Sequence, residues 1–118
     1  MAVSPSYRTF VLEQLTGPSP TTAKAMFGGV GLYCQGLFFA LIADDTLYLK
    51  VDATTRPDFE RVGSGPFRPY GGESHVMQYY ELPADVLEDR EAARPWVDRA
   101  IEVARRAAAG KGKGRTRT

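Results

Sequence analysis

Between Lys24 and Asp52 the chain reads KAMFGGVGLYCQGLFFALIADDTLYLKVD, and its apolar positions recur every second residue. Leu37, Phe39 and Leu41 alternate with Phe38, Ala40 and Ile42, while Leu47, Leu49 and Val51 alternate with Tyr48, Lys50 and Asp52. A period of two is the signature of strands, whose successive side chains point to opposite faces. Gln35-Gly36 and Asp44-Asp45 stand where tight turns are needed, so the segment predicts three antiparallel strands joined by hairpins. The middle strand is apolar on both faces, which predicts a central position.

The flanking segments have the helical period. Ser4 followed by Pro5 reads as an N-cap with proline at the first helical position, where its missing N–H has no partner to lose. Tyr7, Phe10, Val11, Gln14 and Leu15 continue at helical spacing, Gly17-Pro18 stops the helix, and GPSPTTA reads as a loop. Asp52 or Thr54 can cap a short second helix containing Pro57, Phe59 and Val62 and ending at Gly63.

Further on, Pro66 to Tyr70 predicts an interrupted edge strand, because its prolines cannot donate to a ladder, and Gly71-Gly72 turns the chain back. His75 to Glu81 alternates again as a fifth strand, closed by Leu82-Pro83. After the acidic connector ADVLED, Ala93, Val97, Ala100, Ala104 and Ala107 form one stripe of a last helix, flanked by Trp96 and Ile101. Its start is predicted between Glu91 and Pro95. The reading is a two-layer α+β fold, α-β-β-β-α-β-β-α, with an antiparallel five-stranded sheet over residues 1–108. Residues 109–118, ending GKGKGRTRT, read as a flexible basic tail.

Composition changes this picture little. At 118 residues, 43% hydrophobic and 25% charged, the chain suits one globular core. It lacks a basic start followed by an apolar signal core, and with one cysteine, Cys34, it can form neither an internal disulfide nor a cysteine-based zinc cluster; a cytoplasmic, non-membrane protein is expected. Charge changes it more. Arg105, Arg106, Lys111, Lys113, Arg115 and Arg117 follow the last acid, Glu102, and the remainder has nine basic against fourteen acidic residues. Such asymmetry suits either a basic arm for an anionic partner or a solvated end of the chain.

The succession MFGGVGLY (Met26 to Tyr33), FALIADDTLYLKVD (Phe39 to Asp52), TRPDF (Thr55 to Phe59) and YYELP (Tyr79 to Pro83) resembles the TfoX N-terminal domain family, from about Tyr7 to Ala108. The resemblance implies a bacterial source and a secretion-chaperone-like sheet-and-helix domain. It also implies kinship with TfoX/Sxy competence regulators, which act with the transcription machinery and not as enzymes. Those regulators carry a second domain where this sequence has its basic end, so a single domain is expected, and competence regulation does not transfer directly. Met26, Phe27, Gly28, Gly29, Gly31, Tyr33, Arg56, Pro57, Tyr79 and Tyr80 carry over as family-marking structural or interface positions, with no catalytic role attached.

Candidate chemistry is sparse. Gly28, Gly29 and Gly31 lead into a strand and not into a helix N-terminus, so they read as a bulge or sharp bend and not as a phosphate cradle. Cys34 and His75 form a nucleophile pair only if the fold joins them, and a structural role is expected for each. Asp44-Asp45 and Glu88, Asp89 and Glu91 read as turn and helix-start acids, without the ligand pattern of a calcium loop. Tyr33, Tyr48, Tyr79 and Tyr80 read as core or subunit-interface residues rather than a stacking platform, with two-fold pairing through a sheet face or edge.

No catalytic residue, cofactor or metal site is assigned. The expectation is a non-catalytic regulatory domain with a protein partner in the transcription machinery. The alternative is a nucleic-acid accessory protein gripping DNA phosphates through Arg105, Arg106, Lys111, Lys113, Arg115 and Arg117.

Overall fold

A central strand with both faces covered organises the molecule. In the computed structural model the described residues are 3–16, 20–26, 29–67 and 78–116, and for Met26 and residues 110–116 the description extends to the backbone alone. The elements run α1 (Pro5–Leu15), β1 (Thr21–Met26), β2 (Gly29–Cys34), β3 (Leu37–Ala43), β4 (Thr46–Lys50), α2 (Arg56–Arg61), β5 (Tyr79–Glu81), α3 (Ala84–Leu87) and α4 (Arg90–Thr116). The five strands lie in sequence order, each antiparallel to the next, with β3 in the middle. α4 packs on β3 and β4, and α1 on α4 and β1.

The hairpins close as their residues require. Gln35 and Gly36 have φ of 53° and 79°, and Asp44 and Asp45 have 56° and 51°. Positive φ at both central residues matches the twist of the flanking strands, and aspartate tolerates it better than bulkier residues. Asp45 also ties the second hairpin to α1, since its carboxylate accepts the Ser4 N–H at 2.8 Å. Ser4 in turn caps α1, its hydroxyl accepting the Tyr7 N–H at 3.3 Å.

The α+β architecture and the five-stranded antiparallel sheet are as expected, but the membership of the sheet is not. Thr21–Ala23, expected as the end of the GPSPTTA loop, instead opens a strand, Thr21–Met26, paired along its whole length with β2. TTAKAM has no run of large apolar residues because an edge strand with one covered face does not need one. The expected strand at Pro66 to Tyr70 reduces, among the described residues, to a single bridge between Pro66 and Tyr80, supported by Phe67 N–H to Tyr79 O at 2.7 Å and Glu81 N–H to Gly65 O at 3.1 Å. Of the strand expected at His75 to Glu81, Tyr79–Glu81 is observed and residues 75–77 lie outside the described residues.

A β-bulge breaks the expected alternation in the central strand. Leu32 pairs with Ala40 and Tyr33 with Phe38, leaving Phe39 without an opposite residue. Phe39 and Ala40 therefore both join the core beneath the helices, with Leu32, Ile42, Leu47 and Leu49. Phe38, Leu41 and Ala43 belong to a second cluster with Tyr48, Phe67 and Tyr79.

α2 ends in a Schellman motif: Ser64 N–H bonds Phe59 O, Gly63 N–H bonds Glu60 O, and Gly63 supplies the φ of 83° that this requires. The stretch expected as a connector contains the short α3. α4 begins at Arg90, ahead of the expected range, because the Asp89 carboxylate accepts the N–H groups of Glu91 and Ala92 at 3.0 and 3.2 Å. Pro95 lies inside the helix, where it removes one backbone bond. Ala93, Val97, Ala100 and Ala104 are buried as expected, while Ala107 is exposed. The backbone stays helical to Thr116, across residues 109–116 that the sequence reading assigned to a tail. Each of Gly110, Gly112 and Gly114 costs a helix about 1 kcal/mol relative to alanine, which is why the pattern suggested an earlier end.

Candidate functional site

α4 is the hub of the polar structure, and its arginines divide between two faces. On one, Arg90 donates to Thr16 O and Arg94 to Leu15 O, each at 3.3 Å, and Arg94 also meets Asp98 at 3.0 Å. These cations lie at the C-terminus of α1, where unsatisfied carbonyls and the helix dipole favour positive charge. Gln14 fastens the same corner by donating to Leu87 O at 2.8 Å.

On the other face, Arg99 meets Asp58 at 3.2 Å and lies 5.2 Å from the Trp96 ring centroid, while Trp96 packs edge-on against Phe59. About two helical turns further, Arg106 donates to Asp52 Oδ2 at 2.8 Å and to the Thr54 hydroxyl at 3.3 Å. The other Asp52 oxygen accepts from Thr54 N–H, Thr55 N–H and the Thr54 hydroxyl, forming the turn that leads into α2. Burial alone would raise the Asp52 carboxyl, but the hydrogen bonds from Thr54 and Arg106 outweigh it and hold it at about 2. At Asp58 the Arg61 hydrogen bond, aided by the charge of Arg99, lowers the carboxyl against a smaller effect of burial.

Two residues of the expected phosphate-binding set, Arg105 and Arg106, are engaged within the fold. Arg106 is engaged with Asp52 and Glu102, and Arg105 is paired with Glu102. Both arginines remain about half exposed, at 48% and 53%. Lys111, Lys113 and Arg115 are on the last turns of α4, where the backbone alone is described, and Arg117 lies outside the described residues.

A cleft of about 330 Å³ opens between the end of α1, the start of β1, the end of β2 and α4. Cys34, buried at the end of β2, lines it together with Arg94, Asp98, Glu102 and Arg105. Its charges cancel in pairs, Arg94 with Asp98 and Arg105 with Glu102. His75, the other member of the weighed nucleophile pair, lies outside the described residues. Among the described residues, no three histidine, cysteine, aspartate or glutamate side chains group as a metal site.

The four tyrosines do not form one platform. Tyr33 stacks on Phe38 at 5.1 Å between centroids, Phe38 meets Tyr79 at 5.4 Å, and Tyr48 meets Phe67 at 5.0 Å. Tyr80 joins the helix-side core and meets Phe59 at 6.1 Å. Tyr79 is only 4% exposed, so its ring is a packing element, and burial aided by Tyr33 pushes its hydroxyl up to about 12. Lys50 lies 5.0 Å from the Tyr79 ring centroid.

Of the other family-marking positions, Arg56 and Pro57 open α2, and Gly29 and Gly31 lie in the regular β1–β2 ladder opposite Met26 and Lys24. The sheet's bulge is beyond them, between β2 and β3, so Gly29 and Gly31 do not form it. Phe27 and Gly28 lie outside the described residues. Sequence reasoning missed Asp52 as the clasp for α4, although a cap-competent aspartate and an arginine on the final helix were both visible.

The sequence profile described as the TfoX N-terminal domain matches residues 13–104. No curated protein matches the chain. No helix among the described residues is long and apolar enough to cross a membrane.

Proposed function

The chain belongs to the TfoX N-terminal domain family, and on that premise we propose that it is a non-catalytic protein-interaction domain acting in transcriptional co-regulation in the bacterial cytoplasm. The family match over residues 13–104 carries this reading. Two features support it. Arg94, Asp98, Arg99, Glu102, Arg105 and Arg106 of α4 make ion pairs within the fold, and the cleft lined by Arg94, Asp98, Glu102 and Arg105 is charge-balanced. The partner is a component of the transcription machinery. Native affinity capture with the full chain tests this, alongside transcript levels in a strain lacking it. Retention of a polymerase subunit or regulator with altered transcripts is expected; a small-molecule turnover with no retained protein contradicts it.

A second reading rests on Lys111, Lys113, Arg115 and Arg117, which follow Glu102 without an intervening acid. These four cations grip duplex phosphates without reading sequence, releasing counterions and giving a salt-sensitive attachment. Arg105 and Arg106 contribute less, being engaged with Glu102 and Asp52.

A further inference from the structure

The two edges of the sheet are finished differently. Beyond β5, Gly65–Phe67 lies alongside and exchanges backbone hydrogen bonds with Tyr79 and Glu81. Beyond β1 no strand pairs among the described residues. Exposed edges are ordinarily blunted by proline, bulges or repeated charge. β1 reads TTAKAM, with no proline, a single charge at Lys24 and an unbroken register with β2. Among the described residues, a row of backbone donors and acceptors is thus left on an extended strand.

The geometry points to a second copy of this chain as its occupant, with β1 pairing antiparallel to its two-fold mate about Ala23. Opposite residues in an antiparallel pair share a face, so a two-fold pairing that keeps both sets of helices on one side must place some residue opposite itself. Centring on Lys24 sets two lysines face to face, which is destabilising. Centring on Thr22 places Lys24 opposite proline at position 20, which has no N–H to offer. Centring on Ala23 places its small side chain on the axis, Thr21 opposite Ala25, and Lys24 opposite Thr22 of the partner subunit. Ala23 is half-buried against the main core, whereas Thr22 and Lys24 are exposed and open to such contacts. The result is one continuous sheet of twice five strands. This inference stands apart from the regulatory reading, since it concerns how the chain meets itself.

Sedimentation velocity of the full chain over a dilution series tests it. The expected result is a reversible shift towards twice 13.0 kDa as concentration rises. Thr22→Lys sets like charges opposite each other at two symmetric places and weakens the dimer by roughly tenfold. Adding Lys24→Glu to Thr22→Lys restores it. The Thr22 hydroxyl makes only a 3.5 Å contact with Tyr33 O, so both variants keep the fold, which circular dichroism checks. A chain that stays monomeric throughout overturns the proposal and leaves the edge to an extended segment of another protein. A dimer indifferent to Thr22→Lys also overturns it.

Discussion

Arg106 reaches back across 54 positions of the chain to donate from Nη2 to Asp52 Oδ2 at 2.8 Å. The contact fastens α4 to the β4–α2 junction just beyond Ala104, the last buried residue of its apolar stripe. The two residues share one bond but not one role. Asp52 also organises the turn into α2 by accepting from Thr54 and Thr55, whereas the Arg106 side chain is half exposed.

Removing either partner should therefore have unequal effects. Asp52→Ala is expected to cost about 1 kcal/mol, the usual net size of the hydrogen bonds lost from the turn, and Arg106→Ala measurably less. Urea unfolding of the two single variants and the double variant checks this. Equal losses for the two singles would mean that the ion pair, and not the turn, dominates.

The same carboxylate gives a pH dependence with a definite sign. Its folded value of about 2 is below its ordinary 3.8, so it favours the folded state above 3.8. That contribution fades as pH falls from 3.8 towards 2. Comparing unfolding midpoints of the parent and Asp52→Asn through this window should show the parent's advantage shrinking with acidity. An advantage that grows with acidity would contradict the assignment.

The bulge makes neighbouring phenylalanines unequal. Phe39 is fully buried in the main core and Phe38 is half-buried on the other face. Phe39→Ala should cost about 3–5 kcal/mol and Phe38→Ala clearly less, by thermal or urea unfolding. A larger loss at Phe38 would place the extra residue elsewhere in the strand.

On the nucleic-acid reading, affinity for duplex DNA resides beyond the last folded contacts. Anisotropy across a salt series should give a log–log slope of about −3.6 for four phosphate contacts, lost on truncation after Gly110. Arg105→Ala with Arg106→Ala should change it little. Binding that survives the truncation would remove this reading.

Much of the architecture was legible because burial writes itself into sequence. The β2–β3–β4 meander, both hairpin turns and the Ala93, Val97, Ala100 and Ala104 stripe follow from period and turn chemistry alone. β1 was not legible, since an edge strand covered on one face needs no alternating large residues. The bulge was hidden as well: one extra residue in an apolar run changes the facing of Phe39 without changing its hydrophobicity. At the candidate site, Arg105 and Arg106 were visible as charges, but their engagement with Glu102 and Asp52 depends on how α4 crosses the sheet.

The most direct test of the central claim is quantitative native capture with the full chain, analysed by mass spectrometry for both proteins and small molecules. The account predicts enrichment of a transcription-machinery component with no substrate consumed. A purified chain that enriches no such protein and converts a small molecule would contradict it.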